Sequence, residues 1–255
     1  MNRVALFGIT IDNVTAAEAV ETVRRLLDTG KGQHYVVTPN VDHVVRLDRD
    51  PAFRRAYAGA SLVLADGMPL VWASRVLGRP IRRRVTGADL LPQVCAMAAA
   101  GARSLFLLGG REGVAELAAR NLEARFPGLR IAGVYSPPLG FERDPAEQRR
   151  IVERVNRARP DILAIGLGAP KQELWIAAHR RSLDFGVALC IGAGIDFAAG
   201  TLSRAPRWMR ETGLEWCWRL MHEPRRLWKR YLVEDMAFAR IVAREWRRIR
   251  VLQAS

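Results

Sequence analysis

The stretch that decides the fold, residues 62–69, has the sequence LVLADGMP. Apolar residues in a short run before a glycine are typical of a buried strand, and a proline shortly afterwards suits the first turn of a helix. The strand therefore leads into the carboxylate of Asp66, at the edge where open α/β sheets bind their ligands. Asp66 is the first candidate for a general base. The competing interpretation is that Asp66 caps the following helix, because Asp is a favoured capping residue.

Apolar, strand-like runs alternate with helical patterns over most of the chain. Strands are predicted at 34–38, 61–65, 103–108, 130–134, 161–166 and 187–191, and helices at 16–28, 41–58, 69–77, 87–100, 112–126, 145–158 and 171–183. Strands that are apolar throughout indicate a parallel sheet covered on both faces. We therefore expect an α/β fold with a Rossmann-like parallel sheet and helices on both faces, preceded by a short hairpin over residues 3–14.

The pattern becomes purely helical after Gly200, with helices predicted at about 205–221 and 224–250. We predict two parts, an α/β core over residues 1–200 and a helical appendage over residues 201–255. The appendage holds 13 Lys and Arg against 6 Asp and Glu, which is +7 of the net +14. It is also rich in tryptophan. A basic, Trp-rich segment indicates a polyanionic partner: nucleic acid, an anionic membrane surface or a diphosphate.

Composition excludes several classes of protein. The chain has 255 residues, 49% of them hydrophobic, which is enough for a globular core. The cysteines Cys95, Cys190 and Cys217 are odd in number and far apart, which argues against a disulfide framework and favours a reducing cytoplasm. The histidines are isolated, so we expect neither a metal site nor a cofactor. No signal segment or membrane-spanning run is apparent.

The ends of the predicted strands are polar or rich in glycine. Glycine lets the backbone approach a ligand closely, and helix amino termini present N–H groups to phosphate. Several such turns at one sheet edge indicate a nucleotide-type ligand. The candidate residues are Thr38, Asn40, Asp66, Gly67, Gly109, Gly110, Gly168, Lys171, Gln172, Gly192, Gly194 and Asp196.

Each of these turns also has a purely structural interpretation. The Gly109-Gly110 turn lacks the dinucleotide fingerprint and the Walker pattern, so it is a phosphate turn or a plain tight turn. Lys171 can meet a phosphate and Gln172 a sugar hydroxyl, or residues 170–173 only start a helix, with Pro170 as its first residue and a dipole-facing acid.

Three further stretches stay open in the same way. Asp196 accepts from a ribose or a base edge, or it organises its loop. Residues 38–40 bind a ligand, or they form an asparagine turn. Residues 82–84, three consecutive arginines, form a phosphate site or a solvated edge strand.

Taken together, these stretches resemble the WecG/TagA/CpsF family of bacterial glycosyltransferases. The resemblance extends over nearly the whole chain in order. The motifs that carry it are TPN (38–40), ADG (65–67), VTGADL (85–90), FLLGG (106–110), GAPKQE (168–173), GAGIDF (192–197), RAP (204–206) and GLEW (213–216).

The resemblance implies inverting, metal-independent transfer of a sugar from a UDP-sugar to a polyprenyl-diphosphate-linked sugar, at the cytoplasmic face of the membrane. It implies that Asp66 deprotonates the acceptor hydroxyl, with Thr38 and Gln172 beside it, and that Asp196 contacts the nucleotide. It also implies an appendage that reaches the membrane and brings basic side chains over the donor diphosphate. The matching basic residues are Arg219, Arg226 and Lys229.

Two other functions compete with this one. A nucleic-acid-binding protein would account for the net charge of +14, but no recognition motif supports it. A nucleotide-binding oxidoreductase lacks its fingerprint. The donor sugar stays open between N-acetylmannosamine, its uronic acid and glucose, and the oligomeric state is also open, a homo-oligomer included.

Overall fold

The structure is a computed structural model, and it describes residues 2–30, 32–206, 208–209, 212, 214–222 and 236–254. Its strands are β1 (Arg3–Leu6), β2 (Ile9–Asp12), β3 (His34–Val37), β4 (Leu62–Val63), β5 (Ser104–Gly109), β6 (Arg130–Tyr135), β7 (Ile162–Gly166) and β8 (Val187–Cys190). Its helices are α1 (Ala16–Asp28), α2 (Val41–Arg49), α3 (Pro51–Ala58), α4 (Met68–Val76), α5 (Gly87–Ala100), α6 (Val114–Arg125), α7 (Pro145–Ala158), α8 (Lys171–His179), α9 (Gly194–Ala199), α10 (Glu215–His222) and α11 (Met236–Ala254).

The expected α/β architecture is confirmed. β3 to β8 form a six-stranded sheet in the order β4-β3-β8-β7-β5-β6, with every pair parallel. β1 and β2 form the predicted antiparallel hairpin. Parallel strands require crossover connections, and the helices between them supply these. As a result, the carboxyl ends of all six strands lie at one edge of the sheet.

Helices cover both faces of the sheet, also as predicted. On one face, α2, α3, α4, α7, α8 and α11 pack with the hairpin. On the other face, α1, α5, α6 and α9 pack. Alternate residues of each strand point into the two cores, which is why the strands are apolar throughout. Leu163 points into the first core, for example, and Ile162 and Ala164 into the second.

The helix predicted over 41–58 is wrong as a single element. α2 and α3 are separated at Asp50, whose backbone is extended and whose side chain accepts hydrogen bonds from the N–H groups of Ala52 and Phe53. Pro51 takes the first helical position, where its missing N–H costs nothing. The residue before a proline disfavours helical geometry, so the break follows from the Asp-Pro pair. α8 likewise ends at His179 rather than at residue 183.

The carboxyl-terminal helices also differ from the prediction. The helix expected over 205–221 is wrong as a single element: residues 208 and 209 are helical, but residues 205, 206 and 214 are not, and α10 begins at Glu215. α11 is a long helix that packs along α2 and contacts the hairpin, where the rings of Phe7 and Phe238 lie 5.6 Å apart. An ion pair joins Arg244 of α11 to Asp48 of α2. None of the helices described is long and apolar enough to cross a membrane.

Candidate functional site

The strand order brings the candidate residues from distant parts of the chain to one edge of the sheet. Thr38 follows β3, Asp66 follows β4 and Gly192 follows β8, and these strands are adjacent. Gly168 follows β7, and Gly109 ends β5, which are the next strands along. This edge is the carboxyl edge, where α/β sheets place their ligands.

Asp66 lies beside the turn that follows β3. Its N–H donates to the carbonyl of Pro39 at 2.8 Å, and the carbonyl of the preceding Ala65 accepts from the N–H of Val85 at 2.8 Å. The side chain of Asp66 is half-buried. The capping residue of α4 is Gly67, so the interpretation of Asp66 as the helix cap is wrong. Gly67 adopts φ +127°, a conformation that favours glycine.

Thr38 and Asn40 both make contacts that hold the turn after β3. The hydroxyl of Thr38 donates to the carbonyl of Cys190 at 3.3 Å and so connects the ends of β3 and β8. The side-chain oxygen of Asn40 accepts from the N–H of His43 at 3.2 Å and caps α2. Asn40 therefore has a structural role as the cap of this helix.

Gln172 is almost fully buried, with 2% of its surface exposed. Its Oε1 accepts from the N–H of Gly192 at 3.1 Å, and its Nε2 donates to Oε1 of Glu173 at 2.7 Å. Gln172 thus connects the start of α8 to the turn after β8. The helix begins at Lys171, with Pro170 as its capping residue rather than its first residue.

Lys171 points away from Gln172. Its Nζ lies 2.9 Å from Oε1 of Glu142 and 5.9 Å from the ring centre of Phe141. The hydrogen bond from Lys171 lowers the pKa of Glu142. A phosphate at this position would have to compete with the carboxylate of Glu142.

The glycines at the sheet edge fall into two groups. A Cβ on Gly109 would lie 2.4 Å from the carbonyl oxygen of Gly166, and one on Gly194 would lie 2.9 Å from the side chain of Ile191. Packing against neighbours therefore requires these two glycines, as the structural interpretation has it. A Cβ on Gly168 or Gly192 would meet no atom within 4 Å.

Gly110 and Asp196 each combine a structural role with a position at the sheet edge. Gly110 adopts φ +77°, and a Cβ there would lie 3.2 Å from the side chain of Val114. Asp196 lies half-buried on α9, and its carbonyl accepts from the N–H groups of Thr201 and Leu202. The backbone carbonyl of Asp196 therefore organises the following loop, and these hydrogen bonds do not involve its carboxylate.

A four-membered cluster of charged side chains, which we call the Arg84 cluster, begins at the residue before Val85, whose N–H donates to the carbonyl of Ala65. Arg84 is 2.7 Å from Glu215 and 3.7 Å from Asp89, and Arg204 is 2.6 Å from Asp89 and 3.9 Å from Glu215. Burial alone raises the pKa of Asp89, but the hydrogen bond and charge of Arg204 outweigh it, so that this pKa is lowered.

The Arg84 cluster was missed by residue-level reasoning. Residues 82–84 do not form a strand, so the edge-strand interpretation is wrong. The available signal in the sequence was that the motifs RAP (204–206), GLEW (213–216) and VTGADL (85–90) occur together. The spacing of these motifs does not show which of their charged residues form ion pairs. Through Glu215, the cluster fixes α10 beside the start of α5.

The predicted diphosphate-binding residues lie on or beyond α10. Arg219 lies on α10, one helical turn after Glu215, and its side chain is outside the described part of the structure. Arg226 and Lys229 fall outside the described residues. Because Glu215 is held by Arg84 at the carboxyl edge, the backbone of Arg219 is carried on a helix anchored at the same edge.

Behind Gln172 lies a buried polar cluster that the sequence did not predict. The carboxylate of Glu173 is 0% exposed, and burial raises its pKa to about 7. The hydroxyl of Tyr57 lies 2.6 Å from Nδ1 of His43. Burial and the charge of Glu173 raise the pKa of Tyr57. Glu173 lies in the first turn of α8, as the structural interpretation has it, but it is fully buried, and α8 packs against α3.

Among the residues that the structure describes, no three His, Cys, Asp or Glu side chains are grouped so that they could hold a metal ion. The chemistry available at the edge is thus that of one half-buried carboxylate, a buried amide, a hydroxyl and a set of arginines. A carboxylate can take a proton from a hydroxyl, and arginines can stabilise a phosphate charge. This combination suits a reaction in which a group is transferred from a phosphate leaving group to the hydroxyl of an acceptor.

The chain is a glycosyltransferase by family: it belongs to the glycosyl transferase WecG/TagA/CpsF family, whose model matches residues 4–251. A relative from Staphylococcus aureus strain MW2 is 29% identical over 229 residues, which is 89% of this chain and 86% of the relative. It is named N-acetylglucosaminyldiphosphoundecaprenol N-acetyl-beta-D-mannosaminyltransferase. A relative of the same name from Staphylococcus aureus strain NCTC 8325 has the same identity and coverage. The resemblance found from the motifs is confirmed.

Proposed function

We propose that the protein transfers a sugar from a UDP-sugar to the sugar of a polyprenyl-diphosphate-linked acceptor, in the synthesis of a cell-surface polysaccharide. The names of the relatives support an N-acetylglucosamine-diphosphoundecaprenol acceptor and N-acetylmannosamine as the first donor sugar to test. The observation that carries the proposal is the position of Asp66 at the carboxyl edge, where its N–H bonds to Pro39 and the preceding Ala65 bonds to Val85.

The proposed chemistry is a single inverting displacement. Asp66 takes the proton of the acceptor hydroxyl, the hydroxyl oxygen bonds to the anomeric carbon, and the bond from that carbon to UDP breaks with its electron pair. Thr38 and Gln172 position the acceptor. The negative charge that develops on UDP is stabilised by Arg219, Arg226 and Lys229, the residues that match the basic positions of the family. Guanidinium groups can do this without a divalent cation, so we propose metal-independent transfer.

The donor nucleotide has room above the two uncrowded glycines. Gly168 and Gly192 follow adjacent strands and have no atom within 4 Å of an added Cβ. We propose that the diphosphate lies over Gly192, with Gly67, Gly110 and Lys171 at the rim and Asp196 toward the ribose or uracil. Asn40, Gly109 and Gly194 then support the binding residues by holding the turns.

We propose that residues 201–255 form an appendage to a core of residues 1–200 and associate with the inner face of the cytoplasmic membrane. The described part of α11 exposes Met236, Trp246 and Val251 among several arginines. Basic helices with exposed aromatic residues bind anionic membrane surfaces. The same charge was the basis of the nucleic-acid alternative, and neither the family nor the relatives favour that alternative.

The proposal is tested with Asp66→Asn and a matched control, Asp184→Asn. Asp184 is exposed before β8, at the opposite edge of the sheet. We expect D66N to lose at least about a hundredfold in kcat, within the usual range for a general base, while UDP binding persists. D184N should retain transfer. Equal turnover of D66N and wild type would remove Asp66 from the mechanism, and no transfer by the wild type from any UDP-sugar would refute the proposed function.

A further inference from the structure

Glu173 is a buried acid beside the proposed site, and the displacement described above gives it no role. Its Oε1 accepts from Nε2 of Gln172 at 2.7 Å, while Oε1 of Gln172 accepts from the N–H of Gly192 at 3.1 Å. A backbone N–H is only a donor, so Gly192 fixes which end of the amide it meets. The amide of Gln172 is therefore held at both ends, and one of the two partners is a titratable group.

We propose that Glu173 is a positioning residue of the transfer reaction: its ionised carboxylate holds the amide of Gln172 in the orientation that serves the acceptor, and protonation of Glu173 weakens that hold. The inference rests on the proposed function, which assigns Gln172 to the acceptor. An ionised carboxylate only accepts hydrogen bonds, so it selects Nε2 of Gln172 as its partner.

The protonated form of Glu173 holds the amide less firmly. With the proton on Oε2, Oε1 remains an acceptor for Nε2 of Gln172, but a neutral and weaker one. With the proton on Oε1, the O–H can donate to Gln172 only if the amide turns over, and Nε2 would then face the N–H of Gly192, another donor. Protonation thus weakens the contact that ties α8 to the turn after β8.

Burial and the neighbouring charges set the pKa of Glu173. α2 contributes the charges of Asp42, which raises the pKa, and Arg46, which lowers it. α3 contributes Tyr57 and β8 contributes Cys190, and the pKa of each is raised by burial and by Glu173. Burial is the largest cause for Glu173 itself and raises its pKa to about 7.

Three further features agree with a switchable carboxyl group. Oε2 of Glu173 is buried and has no hydrogen-bond partner among the described residues, so the site has a position for a proton. His43 is hydrogen-bonded to Tyr57 and so is already engaged on its Nδ1 side. The first turn of α8 supplies the N–H of Glu173 itself to the carboxylate, which favours the ionised form.

The test is the pH dependence of kcat for sugar transfer, measured between about pH 5.5 and about pH 9. Because the ionised form is the more active one, kcat of the wild type should fall about three- to tenfold as the pH drops through the pKa of Glu173, and then level off. Glu173→Gln keeps an acceptor for Gln172 but cannot titrate. We expect its kcat at alkaline pH to be about three- to tenfold lower, because a neutral acceptor is weaker, and we expect the acidic limb near pH 7 to disappear.

Glu147→Gln is the matched control. Glu147 is also buried, and it also occupies the third position of a helix, α7, but it lies beside β6 at the far edge of the sheet. The E147Q profile should keep the acidic limb of the wild type. Glu173→Asp, which retains a titratable group, should also keep an acidic limb.

A wild-type profile that is flat through pH 7, or an E173Q profile with the wild-type limb, would overturn the inference. Infrared spectroscopy of the wild type provides a readout without any variant: a protonated carboxyl band should persist at about pH 6, above the range of ordinary carboxyl groups. Absence of that band would also overturn it. Failure of the proposed function is distinct, because it would appear as no transfer by the wild type at any pH.

Discussion

The guanidinium of Arg84 lies 2.7 Å from the carboxylate of Glu215, across 131 positions of the chain. The next residue, Val85, donates its N–H to the carbonyl of Ala65, directly before Asp66. One ion pair therefore joins the candidate base to α10, the helix that carries Arg219. Docking of α10 and integrity of the site are physically coupled through this contact.

Glu215→Gln should weaken that coupling. Both side chains of the pair are mostly shielded from solvent, so the loss should be about 1–3 kcal/mol in the docking of α10, between the values for surface and buried pairs. We expect faster protease cleavage after residue 200 and lower sugar transfer, with little change in the melting of the sheet. Glu123→Gln, on the exposed face of α6, is the control. Unchanged cleavage in E215Q would mean that the pair does not hold α10.

Acid should weaken the same cluster through Asp89. The pKa of Asp89 is lowered in the folded protein, so its contribution to the free energy of unfolding is complete above its ordinary pKa of about 4. That contribution is lost as the pH falls through the lower, folded-state pKa. Urea unfolding of Asp89→Asn at a series of pH values should therefore show a shallower acid dependence than the wild type. Parallel curves for the two proteins would contradict this assignment.

Gly109→Ala should destabilise the fold more than the same change at another glycine with positive φ. A Cβ at residue 109 would lie 2.4 Å from the carbonyl oxygen of Gly166, whereas one at Gly8 would meet nothing within 4 Å. The positive φ costs about 1 kcal/mol at both positions, and the clash adds about 1–3 kcal/mol at residue 109 alone. Chemical denaturation of the two variants measures the difference. Equal losses would show that the strands can separate to admit the methyl group.

Arg240 and Arg247, both exposed on α11, should contribute to binding of anionic vesicles. Each cation near such a surface is worth about 1 kcal/mol, so the double change to Gln should weaken binding about thirtyfold. The matched control is the double change of Arg149 and Arg157 to Gln on α7, which removes the same charge from another exposed helix. Vesicle sedimentation checks both. An equal loss in the control would mean that only the net charge matters.

The sheet could be predicted from the sequence because each of its strands is apolar on both faces and ends in a glycine or a polar turn. The carboxyl edge followed from that alternation, whereas the placement of Thr38 and Gln172 beside Asp66 was implied by the family resemblance. The break at Asp50 was missed because its neighbours continue the helical period. The Asp-Pro pair was the available signal.

The contacts behind the edge could not be predicted in the same way. Glu173 is adjacent to Gln172 in sequence, but its burial depends on α3 packing over α8. The pairing of Arg84 with Glu215 depends on how the chain returns after α9. Periodicity describes which face of an element is apolar, and it does not identify the partner of a particular charge.

α2 makes contacts with functional consequences at both of its ends. At its start Asn40 caps it and the charges of Asp42 and Arg46 act on Glu173, while at its end Asp48 pairs with Arg244 of α11. A nine-residue helix thus serves both the proposed chemistry and the carboxyl-terminal helix. A substitution in α2 is therefore expected to disturb either the groups around Glu173 or the docking of α11. We expect saturation mutagenesis to find fewer tolerated substitutions in α2 than in other helices at the surface. We also expect second substitutions that restore function to lie in α8 and in α11.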